Sequence, residues 1–233
     1  MSLFIPINLV CPKCKEAIVM DAVGSVNADR RPDFREDILQ DRFQNVTCKS
    51  CDDTFRLQPK FNYLDAGRRQ WIAALPSAQM LDWIEAEAEV ADLFEQSYGK
   101  NAPEAAQDVG SDLDVRVTFG WPAIREKILA RQSELDDVVL ELLKLDLIRA
   151  VDSAPISTGV EIRMVGAGDD FLTFVWLDGP TEEPLQEIHV PIEHYQAILD
   201  NMEPWKKIHS RIEDGAFVDI QKLYMGEGRT AAE

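Results

Sequence analysis

The hydrophobic pattern changes period along the chain, and the changes predict the elements. Residues 1–10 are almost wholly apolar and read as a first strand running into Cys11. Ala17 to Val23 reads as a strand leaving a turn, and Thr54 to Leu57 as another, with Phe55 and Leu57 on one face. Phe43 to Thr47 leads into Cys48, and between the two pieces residues 32–40 predict a short helix started by Pro32, with Phe34, Ile38 and Leu39 as its stripe. Residues 77–98 predict a single helix, capped by Ser77 and ended by Gly99. Met80, Trp83, Ile84, Ala91, Phe94 and Tyr98 gather on one side of it, with carboxylates over the other. Residues 99–111 read as a linker.

From Leu113 the pattern mixes periods. Val115 to Phe119 alternates as a strand. Helices are expected over 122–131 and 134–148, the second capped by Ser133. Strands follow near 160–165, 170–177 and 186–191, the first two joined in a hairpin at Gly166 to Asp170. A helix near 193–201, an amphipathic piece near 204–213 and a last strand near 216–225 complete the pattern. The fold class is therefore α+β: a zinc-ribbon-like N-terminal module over 1–76, a connecting acidic helix and linker over 77–111, and a C-terminal module of mixed antiparallel strands and helices over 112–229.

Four cysteines carry the clearest chemistry. Cys11-Pro12-Lys13-Cys14 and Cys48-Lys49-Ser50-Cys51 are two C-x2-C pairs, and no other cysteine exists. Each pair brings two thiolates onto one ion from a tight turn, and two pairs complete a tetrahedral four-sulfur site that suits one structural Zn2+. A disulfide pair, a thioredoxin-like redox motif and an Fe–S cluster are the competing readings. The first lacks a secretion signal, the second opens a helix rather than a strand, and the third uses other spacings.

Residues 7–76 resemble the CpXC family of bacterial proteins. The resemblance rests on Cys11-Pro12-Lys13-Cys14, on Val26-Asn27-Ala28-Asp29, on the short helix ending at Leu39, and on Asn45-Val46-Thr47-Cys48-Lys49-Ser50-Cys51 followed by a strand, an aromatic turn and Pro76. It extends to Phe119-Gly120, Ile124 to Ile128 and Leu135 to Val139, which look like the tail of longer members. Lys49 stands where the motif prefers proline. Lys15 and Asp52 stand after the second cysteines, where glycine would ease a left-handed backbone. The resemblance implies a zinc-ribbon-like module and brings no activity with it.

Composition narrows the rest. With 24 basic and 42 acidic side chains the formal charge is −18, which argues against a general nucleic-acid binder and against an anionic lipid surface. The acidity is uneven: residues 1–76 carry 11 basic and 10 acidic side chains, 77–110 carry 1 and 8, and 111–233 carry 12 and 24. No apolar run approaches the roughly 20 residues of a membrane span, and no leader is evident, so a cytoplasmic protein is expected.

Catalytic motifs are scarce: G-x-S-x-G, the P-loop and H-E-x-x-H are all missing. His189 and His194 would need Glu187 or Glu193 to make a second metal site, and surface histidines are the simpler reading. Arg68 and Arg69 beside Trp71 suit either base stacking or a salt-bridged turn. Glu87 lies within the apolar stripe of Trp83 and Phe94, so these residues are candidates to face a partner, with an edge carboxylate paired to an arginine as the plainer role for Glu87. Three functions follow: a zinc-stabilised interaction module or scaffold for a protein with a basic surface, a nucleic-acid- or transcription-associated ribbon, and a carboxylate enzyme acting on a cationic substrate.

Overall fold

The computed structural model describes residues 2–150 and 159–226. Leu3–Val10 (β1) and Ala17–Asn27 (β2) form an antiparallel hairpin around the first cysteine turn. Helix Pro32–Leu39 (α1) follows, with Pro32 in its first turn. Asn45–Thr47 (β3) and Thr54–Arg56 (β4) then make a second hairpin around the second cysteine turn. Phe61–Asp65 (β5) and Gln70–Leu75 (β6) pair antiparallel.

The interior is organised by β6. Its residues alternate between two buried faces, Trp71 and Ala73 on one side and Ile72 and Ala74 on the other. A strand buried on both faces reads as a continuous apolar run, which Trp71-Ile72-Ala73-Ala74-Leu75 is. On the first face lie helix Trp83–Tyr98 (α2) and Phe217. On the second lie α1, Phe43, Phe61 and the Trp121, Ile124 and Ile128 stripe of helix Trp121–Gln132 (α4).

Four expectations are corrected here. Residues 77–98 are not one helix: Ser77–Asp82 is a 3₁₀ stretch before α2, because after Pro76 the chain winds tighter, with the Gln79 N–H donating to the Pro76 carbonyl. Ser77 is no cap there; its hydroxyl meets Gln58. The expected linker contains a helix, Glu104–Gly110 (α3), begun after Pro103 and packed so closely on α2 that a Cβ at Gly110 would stand 2.5 Å from Tyr98 Cβ. Ser133 closes α4 instead of opening the next helix. Asp137–Ala150 (α5) is capped by Asp136, whose Oδ1 accepts from the N–H groups of Val138 and Val139.

The fourth concerns modules. Asp114–Phe119 (β7), expected in the C-terminal module, pairs parallel with β6. The main sheet is therefore β1-β2-β5-β6-β7 and crosses the expected boundary between residues 76 and 112. The remaining antiparallel sheet is Val160–Ala167 (β8), Phe171–Asp178 (β9) and Pro184–Pro191 (β10), in the order β10-β9-β8. It packs on α5, with helices Ile192–Asp200 (α6) and Lys206–Glu213 (α7) beside it. Residues 151–158 and 227–229 of the expected third module lie outside the described residues.

The last strand expected near 216–225 is an irregular crossing that ends in helix Gln221–Met225 (α8). It makes one ladder bond, Val117 N–H to Ala216 O. Two of its other N–H groups go to carboxylates, Phe217 donating to Glu87 at 2.7 Å and Ile220 to Glu141 at 3.0 Å, while Val218 donates to Ala216 O within the crossing. Gly215, at φ +79°, turns the chain into this crossing, and a Cβ there would collide with the Glu87 carboxylate.

Below the crossing, buried ions join α4, α5, β8 and the crossing itself. Lys144 Nζ lies 2.6 Å from Glu126 and 2.9 Å from Glu141. Lys127 reaches Glu141 at 3.2 Å and Asp137 at 3.0 Å. Arg163 of β8 reaches Glu126 at 3.1 Å and Asp219 at 2.6 Å. Glu126 also accepts the Met164 N–H, which closes one edge position of β8. Burial alone would raise Glu126 and Asp219; the facing cations, Lys144 and Arg163 for Glu126 and Arg163 and Lys144 for Asp219, overcome it. Glu126 is thereby held below the ordinary carboxylate value and Asp219 falls to about 2.

Lys144→Met is expected to destabilise the fold by about 3 kcal/mol, read as a shift in the urea midpoint, because it removes the cation that buried Glu126 and Glu141 share and leaves Arg163 and Lys127 to compensate them. The depressed Asp219 sets an acid limit: its contribution is full above its ordinary value of 3.8 and is lost as pH falls toward about 2, so the urea midpoint drops over that interval.

Candidate metal centre

The two cysteine turns are built alike. In the first, the Cys11 N–H donates to Glu16 O at 2.8 Å and the Lys15 N–H to Cys11 O at 3.0 Å. In the second, the Cys48 N–H donates to Asp53 O at 2.8 Å and the Asp52 N–H to Cys48 O at 2.9 Å. Lys15 and Asp52 both take the left-handed conformation, at φ 65° and 57°. The position after each second cysteine thus needs that conformation although neither residue is glycine. Lys13 and Asp53 bridge the two turns at 3.2 Å.

The hairpins face each other and bring all four sulfurs within 4.8 Å of one another. Cys11 Sγ stands 3.7 Å from Cys51 Sγ, and Cys14 Sγ 3.5 Å from Cys48 Sγ. A tetrahedron with metal–sulfur bonds of about 2.3 Å has edges of about 3.8 Å. The spacing therefore fits one tetrahedral ion. It is far too long for a disulfide bond, and the four are free thiols. A multi-iron cluster would hold the thiolates further apart to admit several metal atoms. Cys11 and Cys48 are buried, while Cys14 is exposed and Cys51 half-buried, so one side of the site is open to water.

Without a cation the thiols differ in acidity. The N–H groups of Cys14 and Lys13 lower Cys11 to about 7. The N–H groups of Glu16 and Asp53 act in the same sense on Cys14 and Cys51, but burial and neighbouring sulfurs prevail, raising Cys14 to about 12 and Cys51 above its ordinary value. A bound divalent ion replaces those protons, so loading releases them.

The second hairpin is tied to the far side of the molecule. Arg56 of β4 lies over the Trp121 ring at 4.8 Å and pairs with Asp41 and, at 2.5 Å, with Glu182 in the turn between β9 and β10. Arg125 of α4 pairs with the same Asp41 and stands 3.7 Å from Glu182.

The other residues singled out from the sequence are engaged within the chain. Trp71 is 3% exposed, with its ring 5.3 Å from that of Phe94, which also packs on Tyr98. Trp83 is 8% exposed, between Phe217 and Lys222. A partner-facing role for these aromatics is corrected to a core role, because α2 spends its apolar face on β6, β7 and Phe217. Glu87 holds the Phe217 N–H and, among the described residues, pairs with no arginine. Arg68 pairs with buried Asp65, and exposed Arg69 donates to Asp112 O. No base-stacking pair forms, since Trp71 is covered.

His189 meets Glu187 and Thr173, His194 is exposed, and neither joins a metal cluster among the described residues. A polar cavity of about 260 Å3 is lined by Gln70, Asp114, Arg116, Lys127, Asp136 and Asp137, among others. Lys127 and Arg116 hold Asp137 well below the ordinary carboxylate value against the effect of burial. Proton transfer needs the opposite shift, so this cavity does not support the carboxylate-enzyme reading. The residues that sequence reasoning missed are the buried ions. Their signal is a charged residue inside an apolar helix stripe, as Glu141 and Lys144 are among the leucines of α5.

The family model described as CpXC protein matches residues 9–144, more than half of the chain and all four cysteines. No curated protein and no solved structure matches it.

Chelating the metal is expected to raise hydrogen exchange in residues 43–57. Through Arg56 it should also raise exchange in the turn around Glu182, while α5 stays protected. Glu182→Gln should uncouple the second effect from the first, as read by exchange mass spectrometry.

Proposed function

The chain belongs to the CpXC family, and we propose that its four cysteines hold one structural Zn2+ and that the protein acts as a metal-stabilised interaction module without chemistry at the metal. The observation that carries this is the sulfur tetrahedron. Cys11, Cys14, Cys48 and Cys51 fill all four positions, so no site is left for a substrate or an activated water. When bound, zinc supplies a cross-link between two hairpins that have little else to join them. The second hairpin has only three residues per strand, too few to be stable in water alone.

Zinc is favoured over iron because a single tetrahedral ion fits the spacing and a cross-linking role needs no redox change. Four reduced thiols suit a reducing compartment, which supports the cytoplasm as the place of action. No helix among the described residues is long and apolar enough to cross a membrane. The partner is proposed to be a protein with a basic surface. The net charge of −18, concentrated after residue 76, attracts such a surface and repels nucleic acid.

Protein purified without added metal is expected to contain about one zinc per chain, and Cys11→Ser to lose nearly all of it. Elemental analysis beside thermal unfolding measures both. Iron in the site, or a variant with all four cysteines changed to serine that keeps the wild-type melting temperature, contradicts the reading.

A further inference from the structure

β1 is the open edge of the main sheet, and among the described residues it pairs only with β2. The Cys11 N–H donates to Glu16 O, and the register places Leu9, Ile7 and Ile5 at the positions that exchange hydrogen bonds with β2. Phe4, Pro6, Asn8 and Val10 alternate with them and turn their backbone groups outward. Val23, opposite Phe4, gives its N–H to Gln44 rather than to β1, as this alternation requires. Pro6 sits at an outward position, where its missing N–H takes nothing from the β1–β2 ladder.

The strand is apolar on both faces and exposed. Leu3 is 56%, Phe4 50%, Ile5 44% and Val10 58% accessible, and Val19, opposite Asn8 on β2, is 75% accessible. β1 carries no charge, and the hairpin from residue 3 to 27 carries Lys13, Lys15, Glu16 and Asp21, a balance of zero in a chain of −18. Two copies meeting through the acidic body bring like charges together; meeting through β1 they do not. An uncharged apolar edge of this length is one that isolated proteins avoid.

We propose that this edge pairs with β1 of a second copy of this chain, antiparallel about a two-fold axis at Ile7. In that register Phe4 lies opposite the partner's Val10 and Pro6 opposite the partner's Asn8. The outward N–H groups of Phe4, Asn8 and Val10 each meet a carbonyl, Asn8 donating to that of the partner's Pro6, and only the proline positions give no donor. Registers centred on Pro6 or Asn8 leave Val10 or Phe4 unpaired. On one face Ile5, Ile7 and Leu9 meet the same three residues of the partner, which makes the contact self-complementary as a two-fold interface requires. The two five-stranded sheets become one. This inference goes beyond the metal reading and does not depend on it: a chain that holds zinc and stays monomeric loses this inference alone.

Sedimentation equilibrium of the full metal-loaded chain tests it. The wild-type chain is expected to be a dimer at tens of micromolar. Asn8→Pro, which removes one outward N–H and leaves the ladder to β2 intact, is expected to weaken dimerisation at least tenfold, or about 1.4 kcal/mol, with metal content and circular dichroism unchanged. Should Asn8→Pro fail to fold, Val10→Lys carries the test, since its side chain is already in water in the monomer and faces the partner's Phe4 in the dimer. A wild-type chain that is monomeric at about 100 µM, or a folded variant that dimerises with wild-type affinity, overturns the proposal.

Discussion

The ion cluster around Lys144 is the constraint on which the arrangement of the whole molecule rests. Three elements from distant parts of the chain supply its members: Glu126 and Lys127 on α4, Glu141 and Lys144 on α5, and Arg163 on β8. Asp219 on the C-terminal crossing closes it. A buried charge without its counter-charge costs several kcal/mol, so removing any one element leaves the others worse than unpaired in water. The elements of the expected C-terminal module are therefore locked to one another, and α4, which also packs Trp121, Ile124 and Ile128 against the second face of β6, ties them to the main sheet. The joins across the predicted boundary are made elsewhere, by the parallel pairing of β6 with β7 and by Glu87, which holds the C-terminal crossing.

The metal centre solves a different problem at the other end. The β1–β2 hairpin projects past the point where β2 pairs with β5, and β3–β4 is the smallest sheet in the molecule. Neither hairpin buries enough apolar surface to fix its position. Four thiolates holding one ion would join them where a core cannot. Arg56 carries that order further, because the strand leaving the second cysteine turn also reaches Glu182, in the turn of the other sheet. Metal binding, hairpin order and the docking of the β9–β10 turn are thus linked through one side chain stacked on Trp121.

Acidity acts differently at different depths. On the surface it surrounds the uncharged β1 edge, at which two copies are proposed to meet. Inside, carboxylates substitute for strand pairing. Glu87, Glu126 and Glu141 each accept a backbone N–H that a neighbouring strand would otherwise have taken. For this reason residues 214–220 cross beside β7 as irregular chain with a single ladder bond, and the Phe217 and Ile220 N–H groups are still paired.

The amino-acid sequence alone determined the local features. Two C-x2-C pairs, flanked by strand-forming residues, specify two cysteine turns, because ligand spacing within a turn depends only on the few residues that form it. The strained positions Lys15 and Asp52, the short helix begun by Pro32, the double-sided apolar run of β6 and the hairpin at Gly166–Asp170 are local in the same sense. The tertiary structure alone decided what involves partners far apart in the chain. Trp83, Phe94 and Trp71 have the pattern of an exposed recognition stripe until β7 and Phe217 are found covering it. Glu87 has the pattern of a surface acid until Gly215 brings the Phe217 N–H to it. Ser133 and Asp136 are equally good caps on paper, and the left-handed turn at Glu134 gives the role to Asp136. Lys127, Glu141 and Lys144 sit in apolar helices for no local reason. Glu141 and Lys144 are one turn apart, but Lys127 meets Glu141 across 14 residues and Lys144 meets Glu126 across 18, and only the packed chain determines which charge meets which.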